Sequence, residues 1–268
     1  MDFFSYEKPL RLAFFFGMLV WMAAWEYGFE RKKRVDSKFK RWLNNLGMAG
    51  ISSLILQSGV FLLPVSFAYA ARSRGIGVFN QFYGMDWAKW IAAILLLDLI
   101  IYFQHILFHF VPILWRLHQV HHTDLDIDVT TGIRFHPIEI IISLLIKLTA
   151  VAAFGFPPGA VLTFEILLNA TAMFNHANIY IPLGIDRFIR LILVTPDMHR
   201  VHHSVVMGES NTNFGFSLSL WDRLCGTYTA QPRAGHDGMT IGLGYARKPK
   251  SLIQLLVMPF LKRSEAKN

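Results

Sequence analysis

Between Trp90 and Phe103 the only charged residue is Asp98, and the apolar run containing them extends from Trp87 to Phe110. About 20 such residues cross the hydrocarbon of a bilayer as a helix. Comparable runs occupy roughly Leu10–Phe29, Leu46–Ala71, Ile138–Phe154 and Gly159–Ala177, the last two separated by the helix-breaking sequence GFPPG. The expected fold is therefore all-α: a polytopic membrane helix bundle with four or five apolar helices, forming one integral-membrane domain over residues 1–268. A short amphipathic stretch is expected at Ile185–Val194. The apolar patch Leu252–Leu261 is too short to span and is expected to lie on the membrane.

The composition agrees. Hydrophobic residues make up 53% of the chain, and the mean hydropathy of +0.38 is too apolar for an ordinary soluble enzyme. The net charge of +8 reads as membrane topology rather than a nucleic-acid footprint, because no long basic block sits on a polar domain. The loop after the first apolar run holds Arg31, Lys32, Lys33, Arg34, Lys38, Lys40 and Arg41, whereas the next loop holds Arg72, Arg74 and Lys89. The positive-inside rule puts the first loop in the cytoplasm. Alternation then returns the chain after Phe110 to that side. The first apolar run lacks a small-residue cleavage site and reads as a retained span.

Most of the 11 histidines cluster. His105 and His109 are spaced i, i+4 at the end of the third run. His118, His121 and His122 form one HxxHH group, and His199, His202 and His203 form another. On a helix these spacings gather rings on one side. His136, in RFHPIE, and His176, in NHAN, fall at the same expected depth, and charge-based topology places the whole set at the cytoplasmic edge. Cys225 is the sole cysteine, which excludes an internal disulfide and a thiolate cage. The ligands for any metal are then nitrogen and oxygen, a set that suits iron, zinc, copper or nickel. The histidines outnumber what one ion can use, so two adjacent ions are the economical reading. Asp98 and Tyr102 precede His105 on its helical stripe, as Glu165 and Asn169 precede His176. They are expected to take the free ring N–H groups of ligand histidines. No catalytic side chain beyond the metal centre is indicated. The acidic run Asp124, Asp126, Asp128 reads as a solvated loop, and Arg134 and Glu139 as an interfacial pair.

The order HxxxH, HxxHH, RFHPIE, NHAN, HxxHH, NTNFG and WDRLCGTY, over about residues 98–228, resembles the fatty acid hydroxylase and sterol desaturase superfamily. Cys225 departs from it, standing where a bulky apolar residue is usual. The resemblance implies a non-haem di-iron, O₂-dependent enzyme that hydroxylates or desaturates a C–H bond of a fatty acyl chain, a sterol or a similar lipid. It carries the ligand role onto His105, His109, His118, His121, His122, His136, His176, His199, His202 and His203. Spacing alone leaves two rivals, a polytopic metal-ion transporter and a b-type haem membrane protein. GLGYA at Gly242 lacks the rest of a dinucleotide fingerprint, and there is no cysteine set for an iron–sulfur cluster. Electrons are expected from a separate NAD(P)H-driven donor, and the substrate from the bilayer.

Overall fold

The computed structural model describes residues 3–58, 63–82 and 84–261, with side chains from residue 6 onward. Among the described residues all extended pairing is limited to isolated bridges, and the regular structure is helical. The longer helices are α1 (Phe3–Gly28), α2 (Lys38–Gln57), α3 (Pro64–Ser73), α4 (Asp86–Phe110), α5 (Pro112–His122), α6 (Pro137–Phe154) and α7 (Pro158–His176). Short helices follow: α8 (Leu183–Ile189), α9 (Pro196–His202), α10 (Met207–Ser210), α11 (Leu220–Leu224), α12 (Gly235–Gly238) and α13 (Leu252–Val257).

Proline sets many of the starts. α3, α5, α6, α7 and α9 each begin with one in the first turn, where the missing N–H would have had no helical partner anyway. The run Leu46–Ala71 is thereby two helices rather than one, because α2 ends at Gln57 and Pro64 opens α3; residues 59–62 between them lie outside the described residues. Pro112 acts likewise after extended Val111, so α5 turns away from α4 and carries its histidines back toward the end of α4. α6 stops at Gly155, whose φ of +68° suits glycine. Gly77 packs on that turn so closely that a Cβ would lie 2.2 Å from the Gly155 nitrogen.

Among the described residues three helices are long and apolar enough to cross a membrane: Tyr6–Gly28, Asp86–Phe110 and Pro137–Phe154. Their outer faces expose Phe14, Phe16, Val20, Trp21, Ile91, Leu95, Phe103, Leu107 and Leu145. Exposure on that scale suits lipid rather than water. Inside, α4 and α7 pack together with α3 and α6 around Leu97, Ile101, Val151, Phe156, Val161 and Phe164. α3 contacts both α6 and α7, so the two halves of the expected hairpin pack chiefly on other helices. α1 lies along α7 through Leu19, Met22 and Met173. α2, α5 and α13 share Met48, Val120 and Leu255.

The loop after α1 is bound to the histidine end of the molecule. Arg31 pairs with Asp197 at 3.1 Å and Asp237 at 2.7 Å, and the Lys32 ammonium donates to carbonyls of α12 and Met239. Arg41 donates to both oxygens of Asp124, to Asp128 and to the Asp126 carbonyl. The Asp126 carboxylate accepts from the backbone of Val35 and Asp36. The expected solvated acidic loop is therefore a buried clamp, with Asp124, Asp126 and Asp128 at 2%, 7% and 0% exposure. An acidic run alone does not reveal that a distant arginine will reach it. Arg41 and Arg134 hold the Asp124 carboxyl well below the usual carboxylate range, against the opposing effect of burial.

Candidate metal centre

Two interleaved groups of imidazoles meet where α4 and α7 end and α5 and α9 cross. His105, His109, His118, His122 and His202 form the first; His121, His176, His199 and His203 form the second. Within each group the candidate ligand atoms lie within 4.8 Å of one another. Each HxxHH motif serves both. His118 and His122, one turn apart, face the first group, while His121 faces the second. In the other motif His199 and His203 face the second group, while His202 turns to the first. Neighbouring rings across the divide are close, with centroids of His122 and His203 4.5 Å apart and of His121 and His122 5.4 Å apart.

The outward nitrogens fix the tautomers. His105 Nδ1 donates to the Phe214 carbonyl at 2.7 Å, His202 Nδ1 to Thr212 at 2.8 Å, His176 Nδ1 to Ala172 at 2.7 Å and His121 Nδ1 to Arg134 at 3.3 Å. His118 Nδ1 donates to Glu139 Oε1 at 2.7 Å and His109 Nδ1 to Asn211 Oδ1 at 3.3 Å. A neutral ring that donates through Nδ1 holds a lone pair on Nε2. Yet the Nε2 atoms of His105 and His118 are 3.1 Å apart, and those of His176 and His121 are 3.0 Å apart. Lone pairs cannot hydrogen-bond one another, whereas a cation among them takes them all. The donor set fits two metal ions that accept imidazole nitrogen.

Burial reinforces the same protonation state. His118, His121, His122, His176, His199, His202 and His203 are at most 1% exposed, and His109 is half-buried. Burial pushes His118 down to about 3. Burial and neighbouring imidazoles put His121, His122, His199, His202 and His203 well below the ordinary histidine range. Neutral rings are what a metal ion binds.

Nine of the expected ligands converge, and His136 does not. It caps α6: its Nδ1 accepts from the Ile138 N–H at 3.2 Å and its Nε2 donates to the Leu256 carbonyl at 3.1 Å. With both ring nitrogens engaged, it belongs to neither group. The expected partners on the helical stripes also differ. Asp98 accepts from Trp221 Nε1 at 2.8 Å and from the Leu218 N–H at 3.2 Å. Glu165 bridges Arg11 at 2.6 Å and Lys147 at 2.7 Å, and Asn169 donates to the Glu165 carbonyl. Tyr102 meets Thr227 at 2.8 Å. None of the four holds a ring directly.

Their role falls to two other carboxylates, one of them the Glu139 expected to pair with Arg134; Arg134 instead donates to the Val120 carbonyl, Asn45 and Thr123. Glu139, in the first turn of α6, holds His118. Asp222 is fully buried and accepts from the Phe214 and Gly215 N–H groups and from Thr227 Oγ1, fixing the peptide whose carbonyl orients His105. The signal for Asp222 lies in WDRLCGTY, where the aspartate belongs to the family pattern with no role assigned to it. Glu139 carried a weaker one, a carboxylate three residues after His136 in RFHPIE.

An ornithine lipid hydroxylase of Rhizobium tropici is 30% identical over 61% of this chain and 47% of its own length. The alkylglycerol monooxygenase of Homo sapiens is 31% identical over 61% of this chain and 35% of its own length. That of Xenopus tropicalis is 30% identical over 71% of this chain and 43% of its own length. The chain thus matches less than half the length of each of these relatives. No solved structure matches it. Residues 90–227, from near the start of α4 through the second HxxHH motif to Thr227, match the fatty acid hydroxylase family, and the chain belongs to that family.

Proposed function

We propose that this protein is an O₂-dependent, non-haem di-iron oxygenase of the membrane that hydroxylates a C–H bond in the alkyl chain of a lipid. The observation that carries the reading is the pair of histidine groups, each with Nε2 lone pairs facing one another, His105 against His118 and His121 against His176. The named relatives are hydroxylases and monooxygenases of ornithine lipid and alkylglycerol, which supports hydroxylation over desaturation and a lipid with a polar head.

Two iron ions bound there would supply the redox chemistry that splits dioxygen and oxidises the C–H bond. The reaction balances as R–H + O₂ + 2 e⁻ + 2 H⁺ → R–OH + H₂O, with electrons from a separate NAD(P)H-driven carrier. The protein's own part is orientation and exclusion of water. Glu139, Asn211 and the carbonyls of Phe214, Arg134, Ala172 and Thr212 aim the rings. The buried rings keep solvent from the reacting atoms. The basic loop after α1 is fastened to the histidine end. Together with the positive-inside rule, this supports a centre on the cytoplasmic side.

The test is metal analysis of the full chain purified in detergent, with lipid mass spectrometry of cells with and without the gene. Two non-haem iron ions per chain and a lipid heavier by one oxygen are expected. A Soret band, or two irons with no oxidised lipid, would defeat the proposal.

A further inference from the structure

Several aromatic rings touch the histidines, and they divide by which group they reach. Phe214 lies against His105, His109 and His202, all of the first group. Trp115 lies against His109, His118 and His122, also of the first. Phe108 reaches His118. Among the described residues only two aromatic residues outside the histidines touch both groups. Phe216 sits 5.0 Å from His105 and 6.4 Å from His199, and Phe135 stacks on His121 at 4.5 Å and lies 6.3 Å from His118. The two are 6.4 Å apart, so together they cover the seam between the groups.

Both rings are half-buried, whereas Phe108 and Phe214 are sealed at 1% exposure. They lie next to the apolar helices. The Phe216 carbonyl accepts from Asn175, beside His176. From there the chain runs into the bundle, with Ser217 bonded to Thr171 on α7 and the Leu218 N–H to Asp98 on α4. Phe216 also packs on the apolar core shared by α3, α4, α6 and α7. Phe135 stands two residues before Pro137, the start of the apolar helix α6.

We infer that Phe135 and Phe216 are the residues that present an alkyl chain to the centre and set which carbon is oxidised. The inference rests on the oxygenase reading for its chemistry. Its geometry does not: these are the apolar surfaces at which the bundle interior meets both histidine groups. An alkyl chain that approaches the seam past these half-buried rings is limited by ring volume in how far it advances.

The experiment uses the iron-loaded full chain in detergent, with a fatty acid carrying a mid-chain diazirine as the photo-cross-linking probe. Label is expected in the peptides holding Phe135 and Phe216. Label confined to the Phe110–Trp115 peptide, or to outer helix faces alone, would overturn the inference. In parallel, Phe216→Ala, Phe216→Leu and Phe135→Leu are assayed on a mixed lipid extract from the host cells, with iron content measured on each. Retained iron is expected, with a shift in hydroxyl position or about a tenfold change in chain-length preference, the low end of what one methylene is worth in an apolar pocket. Iron-replete variants with unchanged positions and chain-length preference would also overturn it. If Phe216→Ala loses its iron, the leucine variants and the wild-type label decide. A wild-type protein that takes up iron yet oxidises no lipid defeats the oxygenase reading, and the label still decides where an alkyl chain lies.

Discussion

Glu139 reaches His118 from another helix, and that is why it can do what Asp98 cannot do for His105. Seven residues along a helix separate Cα atoms by about 10 Å of axial rise, beyond the reach of a carboxylate. The stripe shared by Asp98 and His105 is real in projection but carries no contact. Partners for most of the rings come instead from across the fold, namely Glu139, Asn211 and the carbonyls of Phe214, Arg134 and Thr212, while His176 uses the Ala172 carbonyl one turn back on its own helix. Replacing Glu139 by Ala should weaken metal binding at the first group by about 10- to 100-fold, the usual effect of losing a carboxylate behind a ligand histidine. Metal titration of the chelator-treated protein measures it; unchanged affinity would remove Glu139 from the centre. The two single histidines separate as sharply. His176→Ala should lose the metal of the second group, because its Nε2 lies 3.0–3.2 Å from those of His121, His199 and His203. His136→Ala should keep both metals and lose about 1 kcal/mol with its helix cap. Equal metal loss in the two variants would contradict the assignment. Spacing on one helix was legible in the sequence for the HxxxH and HxxHH groups. The capping role of His136 was not, since RFHPIE places a histidine next to a helix-starting proline without showing where its ring turns.

At the scale of elements, the long apolar runs told most of the story. α4, α6 and α7 lie within a residue or two of the expected stretches, because an uninterrupted apolar run bounded by proline or glycine has few alternatives. Pro64 was the exception: it sat inside an apolar run whose hydropathy outweighed the break. The acidic run after α5 misled for a different reason. Its polarity is satisfied from a distant stretch of chain, Val35 to Arg41, and polarity alone looks the same whether water or protein supplies the hydrogen bonds. Arg41 is 3% exposed and Asp124 and Asp128 are 2% and 0% exposed, so removing one member strands buried charge. Arg41→Ala should cost about 3–5 kcal/mol of stability. It should also loosen the segment 124–134, which ends at the Arg134 carbonyl holding His121. Thermal unfolding in detergent, with proteolysis to locate the loosened segment, checks this. A change below about 1 kcal/mol would mean that the clamp is solvated after all.

For the molecule as a whole, the two groups are a store of neutral imidazole held inside the fold, and that sets its response to acid. In the unfolded chain each ring titrates near 6.5. In the folded chain His118 lies at about 3, and His121, His122, His199, His202 and His203 are also displaced downward, chiefly by burial. Between those limits the unfolded chain binds protons that the folded chain refuses. Stability therefore falls as pH falls from about 6.5 toward 3 and is level with respect to these groups above about 6.5. Bound metal ions compete with protons for the same nitrogens, so metal release is expected across the same window. Chelator-treated protein should show an unfolding temperature that is flat between about pH 7 and 8 and declines below about 6.5, and loaded protein should be the more stable above that point. Substituting His236 should leave the profile nearly unchanged even though burial also lowers it, to about 4, because one ring contributes little beside the whole cluster. A metal-free unfolding temperature that stays level from about pH 7 down to 4 would mean that the rings are hydrated and free to protonate. The centre would then lack the dry, lone-pair-lined interior on which metal binding depends.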